Sequence, residues 1–265
     1  MAETFSVAID NHVAQVTLNR PEAYNALGAD ELYGLARNFT ALAADASVRG
    51  VVITGAGKAF CSGADLKGLI KDPTKASENL YTLAAVLHQS ILEIRRMRKP
   101  VIAAINGVAA GAGLSVALAC DFRVMAKSAI LRQAYTSWGL CIDGGGTFTL
   151  PRLVGLARAL EIAAFDPAIT SEMALQWGLV TKVVEDGQAL DAALAMAREL
   201  AEHSMHSFGL VKQLLTDSFT TPLEVQLERE RMGVSACGAH PDGLEGMMAF
   251  AFKRKPAYNK DGGGS

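Results

Sequence analysis

The chain has 265 residues, of which 50% are hydrophobic, 20% are charged and 6% are aromatic, and its formal net charge is −2. This length fits one large domain, or one domain with a small appendage. A charge so close to neutral creates no global field that would attract nucleic acid or an anionic membrane, so neither is expected as a partner. The many small and aliphatic residues favour an α/β protein with close helix packing.

The cysteines and the N-terminus indicate the cellular compartment. The four cysteines lie far apart, without metal-ligand spacing, at positions 61, 120, 141 and 237. We therefore expect reduced thiols in a cytoplasmic protein that binds no metal. The first ten residues contain no basic segment followed by an apolar run, so no signal peptide is predicted. Residues 261–265, which end in Gly-Gly-Gly-Ser, are set apart as a tail.

The first part of the chain alternates between strand and helix patterns. Alternating or continuous apolar runs predict strands over residues 5–9, 13–18 and 50–54. Asp10-Asn11 lies between the first two, which is a hairpin signal. Apolar positions at helical spacing predict amphipathic helices over residues 29–45 and 78–97. A glycine-containing loop over residues 55–66 follows the third strand.

Residues 100–121 combine a buried strand, a glycine-rich turn and a helix. The apolar run 101–105 has the length of a strand covered on both faces, and Asn106-Gly107 ends it. Small residues follow over 108–113, and residues 114–120 are good helix formers. This order presents backbone N–H groups at a helix N-terminus to an anion or a developing oxyanion. The small side chains allow a ligand to approach the backbone.

The same stretch permits two simpler interpretations. Its apolar length is that of a membrane span. Asn106-Gly107 interrupts it, however, and four basic residues precede it directly, so a span is not expected. A strand-turn-helix unit that contributes only to the core is the second alternative, and it stays open at this point.

A third glycine-rich loop, over residues 138–147, carries Asp143. The two strands that end in the glycine-containing loops at 55–66 and 106–113 suggest repeated βαβ units with a site at the carboxyl ends of the strands. Beyond this loop the pattern becomes helical. Helices are predicted over residues 147–154, 156–165, 171–177, 187–203, 207–217, 222–237 and 241–252.

Specific motifs follow one another along nearly the whole chain. They are NRPEA at 19–23, FCSGADL at 60–66, KPVIAAING at 99–107, GAG at 111–113, GGGT at 144–147, WGLV at 177–180 and EGM at 245–247. In residue identity, order and spacing they resemble those of the crotonase superfamily, also called the enoyl-CoA hydratase/isomerase family.

The resemblance implies an α/β fold: a crotonase-like spiral of repeated ββα units with a helical C-terminal trimerisation region. Residues 1–200 would form the core that binds acyl-CoA. Residues 201–260 would form the helical region, which covers the CoA and builds a homotrimer or hexamer. The implied substrate is an acyl-CoA thioester, so coenzyme A enters with the substrate and no separate cofactor is expected.

The resemblance also assigns residues to the ligand. In this family two backbone N–H groups form an oxyanion hole for the thioester oxygen, and the matching residues are Ala64 and Ala112. Glycine is common in the family at the second position. The predicted CoA contacts are Ala23, Ala64, Asp65 and Leu66, with Phe250 and Lys253 reaching the CoA of a neighbouring subunit. Lys253 is alternatively part of a solvated helix end.

The expected chemistry depends on carboxylates. Hydratases of the family use two glutamates, and Ser115 and Tyr135 occupy those positions, which puts ordinary hydration in doubt. Asp143 matches the acid/base of several isomerases of the family. A double-bond shift needs only one base, so a single carboxylate is enough for it. We therefore expect an enoyl-CoA isomerase in which Asp143 moves the proton. From the residues alone, Asp143 is alternatively a turn residue or a helix N-cap.

His88 and Tyr135 keep other readings open. His88 lies on an apolar helix face, where histidine is most often a satisfied packing residue. Together with Asp143 it also reproduces the base and nucleophile of 4-chlorobenzoyl-CoA dehalogenases. Those enzymes carry tryptophan where this chain has Tyr135, which is either a pocket wall or a hydrogen-bonding acid. Hydration and a non-catalytic acyl-CoA-binding role are further alternatives.

Overall fold

The computed structural model describes residues 4–69 and 72–259, so the tail at 261–265 lies outside the described residues. The strands are β1 (Phe5–Asp10), β2 (Val13–Leu18), β3 (Gly50–Gly55), β4 (Ala59–Cys61), β5 (Val101–Ile105), β6 (Val108–Ala110), β7 (Phe122–Ala126), β8 (Ile130–Arg132), β9 (Ile169–Thr170) and β10 (Lys182–Val184). The helices are α1 (Ala29–Ala44), α2 (Leu66–Leu69), α3 (Ala76–Arg96), α4 (Ala112–Ala119), α5 (Gly146–Phe165), α6 (Ser171–Gln176), α7 (Ala189–Ala201), α8 (Met205–Asp217), α9 (Leu223–Ala239) and α10 (Pro241–Ala251).

The described strands form two sheets. The larger has the order β1-β2-β3-β5-β7-β10, and the smaller has the order β4-β6-β8-β9. β1 and β2 pair antiparallel across Asn11 and His12, which both have positive φ. That geometry is the one a two-residue hairpin turn requires, and it confirms the predicted hairpin. The other pairs of the larger sheet are parallel.

The predicted ββα repeat is present. β3 and β4, β5 and β6, and β7 and β8 follow one another in pairs, and each pair sends its first strand to the larger sheet and its second to the smaller one. A helix follows each pair. This alternation winds the chain as a spiral and brings the short strands, with the loops that follow them, to one side of the molecule.

The central strands are continuous apolar runs because both of their faces are covered. Val51, Ile53 and Ala103 pack in the main core with residues of α1 and α3. Val52 and Ile102 point the other way, into a second core that contains Ala193 and Ala197 of α7. Small residues on α7 allow this helix to lie close to the sheet. Among the described helices, none is long and apolar enough to cross a membrane.

The structure differs from the sequence prediction in its shortest elements. The predicted loops at 55–66 and 106–113 contain β4 and β6, and α2, β8, β9 and β10 were not predicted. Elements of two to four residues are too short to show a periodic apolar pattern. The helices 147–154 and 156–165 form one run, which is broken where predicted because Gly155 has φ 76° and ψ 161°.

A buried ion pair attaches α8 to the spiral. The Nζ of Lys212 lies 2.7 Å from Oδ2 of Asp121 and also donates to the carbonyl of Ile94, near the end of α3. Burial lowers the pKa of Lys212, and burial raises the pKa of Asp121, although the neighbouring charges oppose both shifts. Buried charges are strongly destabilising unless they are paired. The packing of α8 and that of the start of β7 therefore stabilise each other through this ion pair.

Candidate active site

A cavity of about 250 Å³ lies between α3 and the loops that follow β4, β6 and β8. Its walls are mainly apolar, and Asp143 is the one carboxylate among the described residues that line it. The lining comprises Leu27, Leu32, Ser62, Gly63, Ala64, Leu66, Leu80, Leu83, Ala84, Leu87, Gly111, Ala112, Ala134, Tyr135, Trp138, Leu140 and Asp143. A mainly apolar cleft with few polar groups has the character of a site for an organic ligand.

Ala64 and Ala112 contribute backbone N–H groups to the same wall. Ala112 is the first residue of α4, where N–H groups have no partner within the helix. Ala64 forms a bridge with Leu27, in which the bonds use the carbonyl of Gly63 and the amide of Asp65. Those bonds leave the Ala64 amide directed away from Leu27. No hydrogen bond within the described part of the chain uses the amide of Ala64 or Ala112.

Gly63 allows these two backbone segments to meet. Its φ is +106°, a value that side-chain-bearing residues rarely adopt. A Cβ atom at this position would lie 3.1 Å from the carbonyl oxygen of Ala110 and 3.6 Å from the amide nitrogen of Ala112. The loop after β4 therefore lies directly against the N-terminus of α4. Ala64 and Ala112 both line one cavity, as two donors to a single developing oxyanion must do.

Asp143 and His88 form a hydrogen-bonded pair at the cavity. Nε2 of His88, on α3, lies 2.6 Å from Oδ1 of Asp143, on the loop before α5. The side chains are 51% and 32% exposed, respectively, so solvent reaches both. His88 is therefore not simply buried in a packed face. The N-cap interpretation of Asp143 is wrong, because α5 is capped by Gly145 without a side-chain bond.

Ser115 supports the Asp143 loop on the side of α4, and Tyr135 lines the cavity beside them. Ser115 Oγ donates a 2.7 Å hydrogen bond to the backbone carbonyl of Asp143. Burial, followed by the charge of Asp143, raises the pKa of Tyr135, so the phenol stays protonated. Gly144 has φ 61°, and a Cβ there would lie 2.8 Å from Cβ of Ser115. The loop can thus approach α4 only with glycine at this position.

The supporting role of Ser115 was missed by the sequence analysis. The available signal was its polarity, because every other residue of α4 is apolar or glycine and all of them are buried. A buried hydroxyl needs a partner, and here that partner is the loop of the carboxylate. Tyr135 lines the cavity, as a pocket wall does, and its alternative role as a hydrogen-bonding acid at the acyl chain stays a prediction.

The predicted CoA contacts fall into two groups. Ala64 and Leu66 line the cavity, and Asp65 between them accepts a hydrogen bond from Arg20 at 3.4 Å. Ala23 lies in a short 3-10 helix outside the cavity lining. At the other end of the chain, Phe250 and Lys253 are exposed at the end of α10 and are not brought to this cavity. Their contact with a neighbouring subunit's CoA stays a prediction.

One amide at the N-terminus of α4 and one in the loop after β4, set in a spiral of ββα units, define the class of protein: a crotonase-type fold with a candidate thioester site. Comparison with known proteins identifies the family. The sequence profile of the enoyl-CoA hydratase/isomerase family matches residues 8–261, and the chain belongs to this family.

Relatives of the chain carry out different reactions. It is 36% identical over 260 residues to a 1,2-epoxyphenylacetyl-CoA isomerase of Escherichia coli, covering 97% of this chain and 99% of the relative. It is 32% identical to 4-chlorobenzoyl coenzyme A dehalogenase-2 of an Arthrobacter species, covering 94% and 90%. The crystal structure of an enoyl-CoA hydratase from Polaromonas matches with a TM-score of 0.91 at 36% identity, covering 95% and 98%. The family thus defines an enzyme acting on acyl-CoA, and its members differ in the reaction that they carry out.

Proposed function

We propose that the protein is an isomerase that shifts a double bond in an enoyl-CoA, with Asp143 as the proton carrier. The observation that carries this proposal is that Asp143 is the single carboxylate among the described residues that line the cavity. Hydration requires one group to activate water and another to handle the Cα proton. Ser115 and Tyr135, which occupy the glutamate positions of hydratases, carry no carboxylate, and the Ser115 hydroxyl is bonded to the carbonyl of Asp143.

The proposed reaction needs one base and one oxyanion site. With a 3-enoyl thioester, the Asp143 carboxylate takes a proton from Cα, and the electron pair moves into a dienolate. The charge that develops on the thioester oxygen is stabilised by the N–H groups of Ala64 and Ala112. The protonated Asp143 then returns the proton to Cγ, which leaves the double bond between Cα and Cβ. No water and no separate cofactor take part.

The acyl group that fits best carries a ring. Tyr135 and Trp138 line the cavity together with leucines of α3, which gives it broad apolar walls. Two relatives are named for phenylacetyl- and benzoyl-type thioesters, which supports the same substrate class.

The proposed reaction is tested by a turnover screen of 3-enoyl-, 2-enoyl-, ring-enoyl- and 4-halobenzoyl-CoA. Isomerisation of a 3-enoyl or ring-enoyl thioester is the expected result, and exclusive hydration of 2-enoyl-CoA would contradict the proposal.

A second candidate function is dehalogenase-like hydrolysis, and the 2.6 Å contact between His88 and Asp143 favours it. In this reaction the Asp143 carboxylate attacks the ring carbon that carries the halogen, and halide leaves with its bonding electrons. His88 takes a proton from the water that hydrolyses the resulting aryl ester.

Isotope labelling from solvent distinguishes the isomerase mechanism from the hydrolase mechanism. Because the Asp143 side chain is 32% exposed, its proton can exchange with solvent during the transfer, and an isomerase then incorporates solvent deuterium at Cα or Cγ. A nucleophilic carboxylate instead passes ¹⁸O from water to the product.

The His88→Gln variant also distinguishes the two reactions. Glutamine places an amide nitrogen near the position of Nε2 and can still donate to Asp143, but it cannot act as a base. For an isomerase we expect turnover within about fivefold of wild type, because Asp143 carries the proton. A hydrolase that uses His88 as its base should lose about 10²–10⁴-fold. Steady-state turnover on the best substrate from the screen decides between them, and a loss in the larger range would contradict isomerisation.

We further propose that the protein assembles as a homotrimer or hexamer through its C-terminal helices. These helices expose many large apolar side chains, including Leu215, Phe219, Leu223, Met232, Val234, Phe250 and Phe252. Apolar surface of this extent is typical of a protein interface. Such an assembly would carry Phe250 and Lys253 to the CoA of a neighbouring subunit.

Sedimentation velocity at micromolar concentration tests this assembly. We expect a species of three or six chains, because an isolated chain would leave these apolar helix faces in water. A single species with the mass of one 27.9 kDa chain would contradict the prediction.

A further inference from the structure

The cavity wall that holds Tyr135 and Trp138 belongs to a short segment with little regular structure of its own. We call residues 132–138 the Tyr135 loop. It leaves β8, passes Ala134 at a positive φ of 54°, and ends in a 3-10 helix over Thr136–Trp138. Trp138 is 70% exposed, so packing alone does not fix it. The position of this loop must therefore come from directed bonds.

Asp166, which follows α5, supplies three of these bonds. Its Oδ1 accepts the amide of Ala134 at 2.7 Å. Its Oδ2 accepts Ser137 Oγ at 2.6 Å and Arg132 Nε at 3.1 Å. The three donors span the loop from its first residue to the residue before Trp138. Since both oxygens come from one planar carboxylate, the ends and the centre of the loop are held to a single point.

Asp166 is itself buried, charged and unusual in its backbone conformation. It is 4% exposed and adopts a left-handed backbone conformation, with φ 45° and ψ 50°. A residue with a side chain lowers the stability of the fold when it adopts this conformation, and glycine is usual at such a helix end. Burial raises the pKa of Asp166, but the bonds from Ser137, Ala134 and Arg132 bring its pKa below the ordinary value. The carboxylate is therefore charged at neutral pH and accepts all three bonds.

We propose that Asp166 is a positioning residue that sets the specificity of the acyl cavity by fixing the Tyr135 loop. Asp166 does not line the cavity, so it acts through Tyr135 and Trp138. The inference rests on the proposed function only in assuming that this cavity receives the acyl group. A thioester whose acyl group reaches these two rings depends on Asp166, whereas one with a short acyl group does not.

The position of the loop can be measured without a ligand. The chain has two tryptophans, so a Trp177→Phe background leaves Trp138 as a single fluorophore on the loop. Asp166→Gly removes the carboxylate and with it the three hydrogen bonds. Glycine adopts the left-handed backbone conformation without strain, so any effect of the change comes from the lost bonds. We expect this change to add a fast nanosecond component to the anisotropy decay of Trp138. Ser137→Ala, which removes one bond, should give a smaller component of the same kind.

Binding then tests specificity, with acetyl-CoA and phenylacetyl-CoA as probes in calorimetry. In Asp166→Gly we expect the Kd of phenylacetyl-CoA to rise roughly 10- to 100-fold, because binding must then order the side chains of Tyr135 and Trp138. The Kd of acetyl-CoA should stay within about twofold. Asp186→Gly is the matched control, because Asp186 also accepts a backbone amide, that of Ser128, but lies outside the cavity lining.

Two results would overturn the inference: an unchanged Trp138 decay in Asp166→Gly, or equal weakening of both thioesters. Equal weakening is what a purely structural residue would produce. A wild-type protein that binds neither thioester would instead refute the proposed acyl cavity, and the anisotropy measurement would still judge the role of Asp166. Thermal melting confirms that each variant is folded at the temperature of the measurements.

Discussion

Replacement of Asp143 by asparagine should abolish most of the turnover while leaving thioester binding nearly intact. The amide keeps the shape of the side chain and a hydrogen bond to His88, but it cannot take a proton from Cα. A positioned acid/base contributes about 10²–10⁴-fold to rate, and we expect kcat to fall by that factor. The Kd for a non-reacting thioester such as acetyl-CoA should change by less than about threefold. Stopped-flow turnover and calorimetry give the two numbers.

The matched control is Asp186→Asn, which makes the same chemical change at an exposed carboxylate that bonds the amide of Ser128. It should retain wild-type turnover. Near-full activity in Asp143→Asn would mean that Asp143 only shapes the loop, and the proposed mechanism would then be wrong. Because a nucleophilic aspartate predicts the same loss, the isotope experiments remain necessary to assign its role.

Replacement of Ala112 by proline should remove one of the two oxyanion donors. Ala112 is the first residue of α4, a position at which proline is well tolerated because its N–H has no partner within the helix. Removal of one donor from an oxyanion hole costs about 10²–10³-fold in kcat. We expect a loss of this size on the substrate that wild type converts best. The thioester carbonyl stretch, followed by difference infrared spectroscopy, should shift back towards its solution frequency.

Ala29→Pro is the control for the backbone change. Ala29 is likewise an alanine that begins a helix after a glycine, but it is exposed and lies outside the cavity lining. It should leave both turnover and the thermal unfolding midpoint close to wild type. If Ala112→Pro folds and also keeps wild-type kcat, the Ala112 amide does not hold the reacting oxygen, and the oxyanion assignment fails.

The larger elements could be predicted from the sequence because their patterns are long. The apolar positions of α1 and α3 repeat over 16 and 21 residues, and residues 101–105 are apolar without interruption. β4 and β6 have three residues each, and they pair with each other across about 50 positions of the chain. Short strands of this kind are specified by long-range contacts, which a local pattern does not contain.

The site could be predicted only in part. Ala64, Ala112 and Asp143 were found through motifs, and the structure brings all three to one cavity. His88 and Asp143 are 55 residues apart in the chain, so only the folded structure shows that they form a hydrogen bond. Asp166 carries no local signal, because its importance lies in three donors some 30 positions earlier in the chain.

The ion pair between Lys212 and Asp121 has a consequence for how the protein is made. Asp121 is synthesised about ninety residues before Lys212, so a growing chain can form its sheets while this carboxylate still lacks its counter-charge. A buried, unpaired carboxylate is strongly unfavourable. We therefore expect the start of β7 to stay open to water until α8 has been synthesised and can pack. We expect a chain that ended at residue 200 to stop at this stage.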